Sequence, residues 1–130
     1  MTEPEFVAFD VVLFMHDQAL REYGGAQGAH KDDLLHSALA RPMNKLAYAD
    51  AGAIDLFDLA AAYAYGLVSN HAFTDANKRT AWSACSLFLK LNGVRVQAPV
   101  PETIETVVGL PARQIDEAGF AAWLRSHKVG

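Results

Sequence analysis

Between His71 and Arg79 the chain sets an imidazole, a carboxylate, a carboxamide, an ammonium and a guanidinium within nine residues, His71-Ala72-Phe73-Thr74-Asp75-Ala76-Asn77-Lys78-Arg79. Each type has a use in moving a phosphoryl group. His71 carries the one side chain whose unperturbed pKa lies near neutrality, which suits a general base. Asp75 is a hard oxygen ligand of the kind Mg²⁺ takes together with phosphate oxygens. Lys78 and Arg79 supply positive charge for a phosphate. They fall at a helix start, where backbone N–H groups are unpaired and the helix dipole is positive. Phe73 is an apolar anchor for the loop. A metal, a charge clamp and a base for an acceptor hydroxyl are what phosphoryl-type transfer requires. No glycine-rich Walker loop is present, which excludes an ordinary P-loop ATPase. Each residue also has a plain structural use. Asp75 would cap the following helix, Asn77 would make a turn, and Lys78 and Arg79 would be solvated charges, although the first turn is unfavourable for cations. Spacing alone does not identify an enzyme.

These groups need a frame. Phe6, Phe9, Leu13 and Leu20, with Val12, Met15 and Ala19 beside them, predict a first helix from about Pro4 to Tyr23. Gly24 and Gly25 stop it, and Ala26 to His30 reads as loop. Asp32 or Asp33 caps a second helix with Leu34, Leu35, Ala38 and Leu39. Pro42 disfavours α geometry at Arg41, so it ends that helix or opens a short third one with Leu46, Ala47 and Tyr48, closing near Gly52. Asp55 to about Asn70 and Asn77 to Leu91 are apolar on most sides, as central helices are. Asn92-Gly93 stops the second, with Gly93 left-handed. Val94 to Val100 is β-prone, a strand or plain extended chain, ended by Pro99 and Pro101. Helices follow over Pro101–Val108 and Asp116–His127. No regular alternation supports a substantial sheet. The expected fold is all-α, with six or seven helices and two central helices joined by the loop that holds the motif.

Composition narrows the class. The chain has 130 residues, 52% of them hydrophobic and 20% charged, which suits a single folded domain over 1–130. Cys85 is the only cysteine, so no internal disulfide forms, and a reducing compartment fits. It lies in an apolar stretch and reads as an inert core thiol. The start MTEPEFVAFD lacks the basic and apolar regions of a signal peptide, and no run suffices for a membrane span. A cytoplasmic protein is expected. The net charge of −4 disfavours nucleic-acid binding. Within residues 71–95, however, Lys78, Arg79, Lys90 and Arg95 oppose Asp75 alone. That is a focus for a small anion or a chance cluster on solvated faces. Arg41 is equally suited to a ligand and to a surface carboxylate. His16, His30 and His127 stand isolated, without an assigned role.

The segment 71–79 resembles the Fic/Doc family signature, His-x-Phe-x-Asp/Glu-Gly/Ala-Asn-Lys/Gly-Arg, in the Asp-Ala-Asn-Lys-Arg form of the Doc (death-on-curing) toxin branch. Met15-His16-Asp17, Tyr23-Gly24-Gly25, LHSALARP over 35–42 and FLKLNGV over 88–94 look like Doc-type segments in the expected order. The resemblance implies a helical Fic fold and transfer of a group from a nucleotide to a protein hydroxyl. It implies His71 as general base, Asp75 as the holder of Mg²⁺, and Asn77, Lys78 and Arg79 as phosphate-binding residues of an ATP site, with Phe73 structural. AMP-transferring members carry glycines where Ala76 and Lys78 stand, and a second arginine where Trp82 stands. These departures favour a reversed nucleotide and transfer of the γ-phosphate to Ser or Thr. The family implies elongation factor Tu as target, arrested translation as effect, and a Phd-type antitoxin as partner, acting in trans because no internal inhibitory Ser/Thr-x-x-x-Glu-Gly/Asn motif is present. The region from Gly25 to Met43 would flank the target-docking side, with His36 where Doc-type sequences often carry an acidic residue. Two alternatives stand beside this reading: an AMP transferase, and a non-catalytic member that only binds a partner.

Overall fold

Leu59, Ala60, Ala61, Ala62, Tyr63 and Ala64 are all fully buried, so the helix bearing them has no solvent face over nearly two turns. Four alanines in six residues let neighbouring helices approach from every side. The computed structural model describes residues 4–23, 32–49, 53–70 and 77–129. In them the chain forms α1 (Phe9–Tyr23), α2 (Asp32–Tyr48), α3 (Leu56–Asn70), α4 (Asn77–Leu91), β1 (Arg95–Val96), α5 (Val100–Gly109), α6 (Glu117–Ser126) and β2 (Lys128–Val129). The fold is all-α, as expected, and α3 is its axis, packed by α2, α4 and α6.

Local chemistry sets the helix ends. At the start of α3, the Asp55 side chain accepts from the Asp58 N–H and the Asp58 side chain from the Asp55 N–H, each at 3.0 Å. This is a reciprocal capping box with Asp in both places. At the end of α4, Gly93 takes φ +79°. The Val94 N–H reaches the Leu89 carbonyl at 2.8 Å and the Gly93 N–H the Lys90 carbonyl at 3.1 Å, the paired bonds of a Schellman stop. The Asp116 side chain caps α6 by accepting from the Gly119 N–H at 2.7 Å.

Three boundaries differ from the sequence reading. The first helix starts at Phe9, not Pro4, because the preceding segment is clamped in a non-helical form. The Val7 N–H donates to the Tyr63 hydroxyl at 2.9 Å, and the Glu5 N–H to Asn92 Oδ1 at 2.8 Å. Asn92 Nδ2 in turn donates to the carbonyls of Glu5 and Phe88. The second difference is Pro42, which lies inside one continuous α2. Leu35, Ala38, Leu39 and Pro42 form one buried stripe, so the proline ring is itself part of the core face. Its missing N–H leaves the Ala38 carbonyl without its helical donor. That residue is pressed against Gly66 of α3, where a Cβ would meet the Ala38 carbonyl oxygen at 3.0 Å. Third, β1, within the stretch read as a strand or extended chain, pairs antiparallel with β2, Arg95 opposite Val129, a partner strand past the expected helix end at His127 that the sequence reading did not foresee. Gly24, Gly25, the 26–30 loop and Gly52 lie outside the described residues.

Candidate active site

The helices that must hold the motif end and begin as expected, α3 at Asn70 and α4 at Asn77. His71, Phe73 and Asp75 lie outside the described residues, as does the side chain of Asn77, whose backbone opens α4. Lys78 and Arg79 follow on the first turn of α4 with exposed side chains. No acidic residue shares that turn. Cations at a helix N-terminus oppose the dipole by about 0.3–1 kcal/mol each, whereas an anion there is stabilised. Thr80, the next residue, is fully buried, and its hydroxyl has no hydrogen-bond partner among the described residues.

The basic segment is not one patch. Lys90 and Arg95 are exposed at the opposite end of α4, and twelve residues of helix set Lys90 about 18 Å from Lys78. Only Lys78 and Arg79 belong to the motif end. Trp82 is turned elsewhere: its ring meets Trp123 of α6 edge-on at 6.0 Å. Trp123 Nε1 donates to Glu102 Oε1 at 3.0 Å. Position 82 thus serves the packing of α4 on α6.

Arg41 takes the structural one of its two sequence readings. Its Nε and Nη2 donate to Glu117 Oε1 at 3.0 and 2.6 Å, Lys45 donates to the other carboxylate oxygen, and the guanidinium lies 4.6 Å from the Tyr65 ring centroid. Burial alone would raise the Glu117 carboxyl. The hydrogen bonds and charges of Lys45 and Arg41 overcome it and hold the group below the ordinary glutamate range. Sequence reasoning missed Lys45 and Glu117. The spacing of Arg41 and Lys45, one turn apart, was the available signal.

The remaining singled-out residues have structural surroundings. His36 stacks on Phe9 at 4.2 Å. His127 is not isolated: its Nδ1 is 2.8 Å from the Trp123 carbonyl and its Nε2 3.3 Å from Glu102 Oε1. Cys85 is buried, and burial pushes its thiol far above the ordinary range, as fits an inert core group. Among the described residues no three His, Cys, Asp or Glu cluster as a metal site, and no described helix is long and apolar enough to cross a membrane. Two grooves flank this architecture. One, of about 730 Å³, runs over Arg41, Asn44, Lys45, Tyr48 and Glu117. The other, of about 430 Å³, lies between Tyr65 and Ser69 of α3 and the turn from Leu110 to Asp116.

Comparison with known proteins adds to this geometry. A family model described as Fic/DOC family matches residues 6–89, a span that runs through α1 to the last turn of α4. The chain is 33% identical over 114 residues, 88% of each chain, to a protein of Escherichia phage P1 named Protein kinase doc. It is 43% identical over 76 residues, 58% of each chain, to a protein of Mycolicibacterium smegmatis named Toxin Doc.

Proposed function

Since the chain belongs to the Fic/DOC family, we propose that it is a Doc-like toxin that moves the γ-phosphate of ATP to a Ser or Thr hydroxyl of a translation factor. Elongation factor Tu is the target the family suggests. The names of the two relatives, a protein kinase and a toxin, support this reading. The observation that carries it is the start of α4, where exposed Lys78 and Arg79 stand on a turn without a carboxylate.

In this reading the imidazole of His71 accepts the proton of the acceptor hydroxyl. The freed oxygen bonds to the γ-phosphorus, the bond from that phosphorus to the β–γ bridging oxygen breaks, and ADP leaves. Asn77, Lys78 and Arg79 bind phosphate oxygens together with the first N–H groups of α4. The donor set fits Mg²⁺, because one carboxylate, Asp75, beside a phosphate chain is its usual protein share. When bound, the ion would neutralise charge on the phosphates. Phe73 anchors the loop. Trp82, committed to Trp123, leaves Lys78 as the clamp that distinguishes γ- from α-phosphate transfer. A Phd-type antitoxin is the proposed partner, and the cytoplasm the proposed compartment.

The test is transfer from ATP labelled at either the γ- or the α-phosphate to elongation factor Tu with Mg²⁺, with His71→Ala as control. Label from the γ-position alone, absent with His71→Ala, is expected. Label from the α-position would make the chain an AMP transferase and refute the role given to Lys78.

A further inference from the structure

Thr80 and Thr103 hold the same place in two helices, each the fourth residue from the start, and both are buried. Thr103 does what threonine does in a helix: its Oγ1 donates to the carbonyl four residues back, that of Pro99, at 3.0 Å. Thr106 does the same with the Glu102 carbonyl at 2.7 Å. Thr80 does not. Its Oγ1 is shut off from water and has no hydrogen-bond partner among the described residues. A buried hydroxyl left without a bond destabilises a fold, and native interiors leave few of them. The stripe that Thr80 heads is otherwise apolar, formed by Ala81, Ala84, Cys85 and Phe88. Valine would fill the same space there with no polar atom to satisfy.

The position of this hydroxyl says what could take it up. A helical side chain leans back toward the N-terminus of its helix, so a hydroxyl on the fourth residue lies beside the first turn. The N–H groups of that turn have no helical carbonyl to bond. The same turn carries Lys78 and Arg79 and no acidic residue. Backbone N–H groups, two cations and an orphaned hydroxyl thus come together at one helix end, and all of them are donors. The group that suits such a set is an acceptor with several oxygens, which is what a phosphate offers. Sheltered from water, a bond from Thr80 to such an oxygen is stronger than one from an exposed hydroxyl.

We propose that the Thr80 hydroxyl donates to an oxygen of the phosphate bound at the start of α4, and that the free protein carries this hydroxyl unpaired until that oxygen arrives. The proposal deepens the phosphotransfer reading and rests on its placement of the phosphates.

Thr80→Val keeps the branched shape and the helix propensity of threonine and deletes the hydroxyl. Without ligand it should melt a few degrees above the parent, because the unpaired group is gone. In calorimetric titrations with ATP and Mg²⁺, and with pyrophosphate, it should bind about tenfold more weakly than the parent. Thr80→Ser keeps the hydroxyl and should bind as the parent does. A hydroxyl with only a structural role would give the reverse pattern, a lower melting temperature and an unchanged affinity. Equal affinity in the parent and Thr80→Val overturns the proposal and leaves the phosphotransfer reading in place. A lower melting temperature of ligand-free Thr80→Val also overturns it, since the hydroxyl then has a partner in the free protein. A parent that binds neither ATP nor pyrophosphate sinks the phosphotransfer reading and the proposal with it.

Discussion

Replacing Tyr63 by Phe removes one oxygen from the centre of the fold and nothing else. The Tyr63 ring is fully buried and tilted against Phe88 at 5.2 Å, contacts that phenylalanine keeps. What disappears is the acceptor for the Val7 N–H, now 2.9 Å from the hydroxyl. Val7 is itself buried, so its amide is left without water. An orphaned buried donor costs about 1–3 kcal/mol. Urea unfolding followed by circular dichroism should show a lower midpoint at an unchanged slope. The same hydroxyl has a second signature. Burial raises the Tyr63 phenol from 10.0 to about 12, outweighing the Val7 hydrogen bond that lowers it. The fold thus favours the neutral phenol. Its contribution is complete below the unfolded pKa of 10.0 and is lost as pH rises from there to about 12, a loss on the order of 2 kcal/mol. Tyr63→Phe should therefore be the less stable protein at pH 7 and should lack this part of the alkaline decline. Equal midpoints at pH 7 would refute the account of the hydroxyl as the clamp on residues 4–8. A Phe variant with the parent's full alkaline slope would refute the burial argument.

Three further outcomes are expected. Glu117→Gln removes the carboxylate shared by Arg41 and Lys45 and should cost about 1 kcal/mol at pH 7, since both cations are part-exposed. Because the folded pKa is lowered, this contribution is present above the unfolded glutamate pKa and lost as pH falls through the folded one. Denaturation of the two proteins should converge in acid, and a constant difference would count against the ion pair. Gly66→Ala drives a Cβ onto the Ala38 backbone. It should lower the melting temperature by an overpacking cost of about 1–3 kcal/mol, against a helix-propensity gain of at most about 1 kcal/mol. A higher melting temperature would show that α2 and α3 yield there. Asp116→Ala deletes the cap of α6 and should cost about 1 kcal/mol in urea unfolding, with no loss meaning that water replaces it.

Much of the frame was legible because its signals are local. The Asn92-Gly93 stop, the Asp116 cap and the two long apolar segments each announce themselves within one or two turns of chain. The misreadings arose where tertiary contact overrules local preference. Pro42 disfavours a helix by about 3 kcal/mol in isolation, yet position 42 falls on the stripe of Leu35, Ala38 and Leu39, and burying that stripe against α3 outweighs the lost bond. The start at Pro4 was overcalled for the converse reason. Phe6 and Phe9 have helical spacing, but Tyr63 and Asn92 supply hydrogen bonds to Val7 and Glu5 from 56 and 87 residues away, and the segment takes those in place of a further turn. The strand Lys128–Val129 depends on the partner strand Arg95–Val96 far earlier in the chain and carries no pattern of its own in two residues.

At the site the division is between chemistry and electrostatic support. The types and order of residues 71–79 were readable because a motif is contiguous, and α4 does open at Asn77 with Lys78 and Arg79 exposed. The partners of Arg41 and Trp82 were not readable, since Glu117 and Trp123 come from a helix whose register against α2 and α4 no local rule fixes. Both pairings commit the side chain to α6. Arg41 shares the Glu117 carboxylate with Lys45, and Trp82 packs its ring against Trp123. In the proposed reaction the phosphates would lie at the start of α4, where the helix N-terminus offers its unpaired N–H groups. In that proposal Lys78 is the residue whose replacement tests the direction of transfer.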